Sequence, residues 1–478
     1  MSSQPNPVSD LPAPAVSRRL VKRAKLPKAK PASPWYANNK DLKLGIWAYF
    51  LLLIFEGALR KWVLPSLATP LLVVRDPLAI LLLGLAFNRG LLVLNGYIIT
   101  MGVIGIVGIY TALYLGHGNF TVAFFGARIL LFHFPLMFVI KRVFTRRDVL
   151  LIGKALLWIT IPMTVLIALQ FFSPQSAWVN RGVGGDTSGA GFSGSAGFYR
   201  PPGTFSFTNG NSLYYCLVCP FLFYFWLNLK TVSKPLLALA TVAFLAAIPL
   251  SISRALFFQV ALTLIFTGLA ISRRPKFVGP FILGIVGVTM AIGILSLTPF
   301  WETATGAFTS RFELAGKHEG GLSGTLGRRF LGGLVSAVTS SLENPFFGMG
   351  QGMGTNVGAM FLSGEKQFLV AEGEWGRVVG ELGPILGISL IVCRVVLTAE
   401  ITVGCYRKLV EGDLLPWLLL SFGFLSVSQG GWSQPSSLGF CTMIGGLLMA
   451  TLAFSAPPAR PKKRFSNLRK RSLQKSKS

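Results

Sequence analysis

The chain has 478 residues, 52% of them hydrophobic and only 13% charged, with a mean hydropathy of +0.60. So small a polar fraction cannot cover a water-exposed surface, which excludes soluble enzymes and leaves an integral membrane protein. The net charge of +28 therefore has to be read by its distribution rather than its size.

In chain order, the first 43 residues form a basic tail, with RRLVKRAKLPKAK from Arg18 and no apolar h-region, so the first helix is expected to act as the targeting signal. Twelve apolar runs of spanning length follow: 44–63, 69–87, 91–115, 119–140, 149–172, 209–229, 235–252, 255–272, 277–300, 378–398, 414–428 and 437–455. They predict an all-α polytopic membrane protein with about 12 transmembrane helices. Residues 456–478 form a second basic tail, PKKRFSNLRKRSLQKSKS from Pro461. With the N-terminus inside, most Lys and Arg fall in cytoplasmic segments, in both tails and in short loops such as KRVFTRR and RRPK. That bias predicts both termini cytoplasmic. The tails then lie against anionic membrane lipids, and nucleic acid is not expected as a partner because no aromatic stacking platform is interleaved with the charge.

Two connections on the outer face are long. Residues 173–208 are rich in Gly and Ser, and residues 301–377 form the large loop between helices 9 and 10. Within the larger one, TLGRRFLGGLVSAVTSSLE shows helical apolar spacing and predicts an amphipathic helix with Arg328 and Arg329 at its start. The glycines of NPFFGMGQGMGTNVG match neither phosphate-loop spacing, so they predict a turn where backbones approach closely. No repeat relates the two halves. Cys216 and Cys219 form a C-x-x-C within an apolar run, where a structural role fits better than redox or metal chemistry.

The membrane-proximal charges gather at the outer face. Glu56 with Arg60 is expected to pair, as is Arg75 with Asp76. Lys154 and Arg394 are expected to snorkel toward the cytoplasm, and His133 to be a hydrogen-bonded core histidine. Arg200, Arg254, Arg328, Arg329 and Arg377, with Glu372, Glu374 and Glu381, all fall on the outer side. Several guanidiniums in a water-poor region repel one another unless a polyanion joins them, and a lipid-linked pyrophosphate is such an anion. Glu372 and Glu374 could equally do no more than pair with those arginines.

The order of RPPGTF and TN at 200–209, SISR at 251–254, GRRF at 327–330, ENPFFGMGQGMG at 343–354 and VAEGEWGRVVGELGPILG at 370–387 resembles the bacterial O-antigen ligase and polymerase family. FEGALRKWVLP and LLVVRDPL resemble its opening. The resemblance implies a GT-C-like fold in the bacterial inner membrane with a large periplasmic loop. It also implies an inverting, metal-independent, cofactor-free glycosyltransferase. The donor would be an undecaprenyl-pyrophosphate-linked glycan, the acceptor a glycan or lipid, and polysaccharide-assembly proteins would be partners. By the same resemblance Arg200 and Arg328 or Arg329 bind the pyrophosphate. The family's catalytic histidine falls at Glu372, counted from Glu381 in ELG, so Glu372 and Gly373 stand in place of His-Asn. A carboxylate can replace an imidazole as general base. Arg254, Arg377, Glu374 and Glu381 are expected to assist substrate binding, with polymerase chemistry favoured over ligase chemistry. The competing readings are a polysaccharide or lipid-linked sugar flippase, which would place its polar groups at the bilayer midplane, and a non-catalytic export scaffold.

Overall fold

The computed structural model describes residues 39–319, 339, 345–364, 370–371 and 373–453. Arg328, Arg329 and Glu372, most of the expected amphipathic segment, and nearly all of both tails lie outside the described residues.

Among the described residues every apolar run found in the sequence is helical over most of its length. The helices are α1 (Lys40–Val63), α2 (Arg75–Asn88), α3 (Gly96–Tyr114), α4 (Phe120–Val143), α5 (Arg146–Phe172), α6 (Thr208–Leu227) and α7 (Lys234–Leu250). They continue with α8 (Arg254–Arg273), α9 (Pro275–Ser296), α10 (Pro299–Glu319), α11 (Asn356–Ser363), α12 (Glu374–Glu411), α13 (Leu415–Gln429) and α14 (Pro435–Ala453). Among the described residues nine of these are long and apolar enough to cross a membrane. The count is ten if α2 and the short Pro65–Leu72 helix before it, bent by 41°, make one span. The helices α7 and α13 are apolar but shorter.

Burial grades outward from a centre. The most apolar stretches of α4, α6 and α14 are 83% buried, whereas that of α9 is 11% buried and presents its side chains to the surroundings. Small residues let the central helices approach: a Cβ on Gly445 would meet Met137 Sδ at 2.8 Å and one on Gly446 would meet Ile140. Local signals start the helices where the sequence places them. Thr145 and Asp148 form a reciprocal capping box at the head of α5, and Lys43 donates to the same Asp148 carboxylate at 2.6 Å.

Two helices carry a widened turn, and basic side chains sit in or beside both. In α1 it spans Leu59–Val63 and carries Arg60 and Lys61; in α4 it spans Ile129–His133. Together with α2 they enclose a buried polar seam. Arg60 and Arg75 both reach Glu56, at 3.4 and 3.1 Å, so the expected Glu56–Arg60 pair is present. The expected pairing of Arg75 with Asp76 is not, because neighbours at a helix start point to different sides. Asp76 instead accepts from Arg128 at 2.6 Å and contacts His133 Nε2 at 2.8 Å, while His133 Nδ1 bonds the Tyr49 hydroxyl. His133 is a hydrogen-bonded core histidine, as expected.

The 173–208 connection is ordered by its own contacts. Its strands β1 (Phe192–Ser195) and β2 (Phe198–Arg200) form an antiparallel hairpin, and the following PPGTFSF segment is wedged against α1. Thr204 donates to Ile54 O at 2.6 Å, and a Cβ on Gly57 would lie 2.3 Å from Ser206 N, so only glycine permits this approach.

Candidate functional site

The hairpin ends at Arg200, and two other chain segments bring arginines to it. One is the tight turn Ser251–Ser253 between α7 and α8. Ile252, buried there, holds φ at +45°, a costly conformation for a β-branched residue, and Arg254 opens α8 directly after it. The other is α10, whose Arg311 donates to Gly194 O of β1 at 3.3 Å while Ser310 bonds Ser195 at 2.8 Å.

Among the described residues Arg200 has no carboxylate partner, and its buried Nε has no hydrogen-bond partner. Burial first, and then the like charges of Arg311 and Arg254, push its pKa down to about 10. Three guanidiniums thus converge around the buried Arg200 Nε, an arrangement suited to an anion with several oxygens.

Arg311 was not singled out by the sequence reading, which placed it within a loop. A signal was available. Arg254, Phe257 and Phe258 stand at i, i+3 and i+4, and Phe308, Arg311 and Phe312 repeat that spacing, so each set shares one helix face.

Glu374, Arg377 and Glu381 form a second, self-paired group. Arg377 binds Glu374 at 3.0 Å and Glu381 at 2.7 Å; Arg394 binds Glu374 at 2.9 Å. All four side chains are buried. Arg394 does not snorkel. It is fully buried, donates to Val427 O and Gly430 O, and stacks over Trp432 at 3.8 Å, because two carbonyls, a carboxylate and an indole meet its whole fork.

The glycine-rich loop completes this group. The helix α12 breaks at Gly383 (φ 75°, ψ 175°), ahead of Pro384, which frees carbonyls at the end of its first segment. Met349 N donates to Gly380 O at 2.8 Å and Gly350 N to Glu381 O at 3.0 Å, so the loop caps the break. Gly352 N and Gly354 N then donate to the two Glu381 carboxylate oxygens, at 3.1 and 2.8 Å. The loop is an anion-holding backbone nest, and the anion it holds is the protein's own carboxylate.

The segment 430–437 is held from three sides. Arg394 reaches Gly430 O, Asn209 bonds Gln434 and Ser437 at 2.9 and 3.0 Å, and Arg75 donates to Pro435 O at 2.7 Å. The residues 430–437 therefore join the ion network to the segment that follows Arg200.

No family model, no curated protein and no solved structure matches this chain.

Proposed function

We propose that this chain is a polytopic glycosyltransferase of the inner membrane, with twelve spans and cytoplasmic termini. It would transfer a glycan from a polyprenyl pyrophosphate such as undecaprenyl pyrophosphate to a glycan or lipid acceptor on the periplasmic side. The carrying observation is the convergence of Arg200, Arg254 and Arg311, with the Arg200 Nε buried and without a hydrogen-bond partner among the described residues. The ordered motifs that resemble O-antigen ligases and polymerases give the anion its chemical class.

In this reading the guanidiniums hold the pyrophosphate, and Arg328 or Arg329 adds to them. An acceptor hydroxyl attacks the anomeric carbon from the side opposite the leaving group. The new C–O bond forms as the bond to the pyrophosphate breaks, and the electron pair leaves on oxygens whose charge the arginines already balance. Glu372 takes the hydroxyl proton. Glu374, Arg377 and Glu381 act at one remove: their buried network and the glycine nest hold the start of α12, which follows Glu372 in the chain.

The test is reconstitution of the purified full-length chain with a lipid-linked repeat unit. Longer glycans or a glycosylated acceptor, with release of polyprenyl pyrophosphate, are expected. Relocation of the lipid across vesicles without transfer would replace this reading with that of a flippase. Glu372→Gln retaining near-normal turnover would remove the role given to Glu372.

A further inference from the structure

Beside the arginines lies a patch of rings with no assigned role. Phe257 and Phe258 on α8 and Phe308 and Phe312 on α10 form one connected cluster, with centroids 5.0 Å apart for Phe308–Phe312, 5.5 Å for Phe257–Phe312 and 6.0 Å for Phe257–Phe308. Phe257 is 44% exposed. Exposed apolar side chains continue from it along one face of α8, through Leu264 and Ile265 to Leu269. That spacing covers about 18 Å of helix at 1.5 Å per residue.

On both helices the rings share a face with an arginine, one turn or less away, through the matching i, i+3, i+4 patterns. A cationic cluster continuous with an apolar path matches a ligand with an anionic head and a long apolar chain. It does not match a free anion, which would gain nothing from the rings.

We propose that the face of Phe257, Phe258, Phe308 and Phe312 binds the first isoprene units of a polyprenyl pyrophosphate, whose head sits on Arg200, Arg254 and Arg311. This rests on the reading above and adds to it the path of the lipid chain. The unsaturated, methyl-branched chain packs against aromatic faces, so recognition extends beyond the head. The area buried per isoprene unit amounts to several CH₂ equivalents, enough for at least a tenfold gain in affinity.

The experiment measures binding to the full-length protein in detergent with three probes: inorganic pyrophosphate, farnesyl pyrophosphate and phosphatidylglycerol. The wild type is expected to bind farnesyl pyrophosphate on the order of tenfold or more tighter than inorganic pyrophosphate. In the Phe257→Ala, Phe308→Ala double variant that preference falls to about twofold or less, with the affinity for inorganic pyrophosphate unchanged. That unchanged affinity reports an intact fold, and Phe257→Leu with Phe308→Leu restores part of the preference. A preference that survives the alanine variants overturns the proposal while leaving the function above standing. So does phosphatidylglycerol displacing farnesyl pyrophosphate at equal concentration, since the face would then take ordinary lipid. Failure of the wild type to bind either pyrophosphate overturns both.

Discussion

Glu381 separates a positioning role from a substrate contact, because its surroundings make the cost of losing it calculable. Its carboxylate accepts from Gly352 N at 3.1 Å, Gly354 N at 2.8 Å and Arg377 at 2.7 Å, and the side chain is 2% exposed. With Glu374, Arg377 and Arg394 the buried network is neutral, and Glu381→Ala leaves it one positive charge in excess. Breaking a buried ion pair by removing one partner costs about 3–5 kcal/mol. Two orphaned amides add roughly 1–3 kcal/mol each where no water reaches them. Relaxation of the loop offsets part of this, so a loss of about 5 kcal/mol is expected, or a fall of roughly 5–10 °C in Tm. Glu381→Gln keeps one acceptor and should lose about half as much. The assay is thermal unfolding in detergent followed by tryptophan fluorescence, alongside pyrophosphate binding. A Glu381→Ala protein that melts within about 1 °C of wild type but no longer binds pyrophosphate would refute the reasoning, because Glu381 would then serve the substrate and not the nest.

Gly352→Ala attacks the same nest from the backbone: φ is +91° and the new Cβ would lie 2.1 Å from Val122 O, so a fall in Tm comparable to that of Glu381→Ala is expected in the same assay. Lys61 is buried with its Nζ 2.6 Å from Gly203 O and, among the described residues, has no carboxylate beside it. Lys61→Met should therefore hold or raise the Tm, since Gly203 O keeps its bond from Gln170 and a costly buried charge disappears. Arg394→Lys cannot reproduce the stack on Trp432 or the fork to two carbonyls and Glu374, and should lower stability by about 2–4 kcal/mol, read as a lower denaturation midpoint. Pyrophosphate affinity should not change through Arg200 at lower pH, where that side chain is charged both free and bound. Above about pH 10 the free guanidinium loses its proton and binding must restore it. Affinity then falls by up to tenfold per pH unit, and a titration on Arg200→Gln should lack that break.

Hydrophobic length is a local property, and it was legible in the sequence. Each of the twelve apolar runs is mostly helical in its described residues, and His133, Cys216, Cys219 and the close-packed glycine turn hold the places expected of them. The partners of individual charges were not legible. Arg75 chose Glu56 over its chain neighbour Asp76, and Arg394 turned inward to Glu374. For Arg75 the acceptor comes from another helix, and for Arg394 it comes from the first segment of its own helix, brought back to it across the break at Gly383. The residues 301–319, read as the start of a loop, continue as helix α10 and bring Arg311 to the hairpin.

What the sequence by itself determined is the medium and the inventory: an apolar chain with helices of spanning length, and a limited set of charges near their ends. Tertiary structure alone decided how those charges divide. It placed Glu374, Arg377, Glu381 and Arg394 in a self-neutralised network under a glycine nest, and brought Arg254 and Arg311 close to Arg200. The reason is energetic. A charge taken out of water must find its complement, and which complement is within reach depends on how the folded chain brings distant positions together.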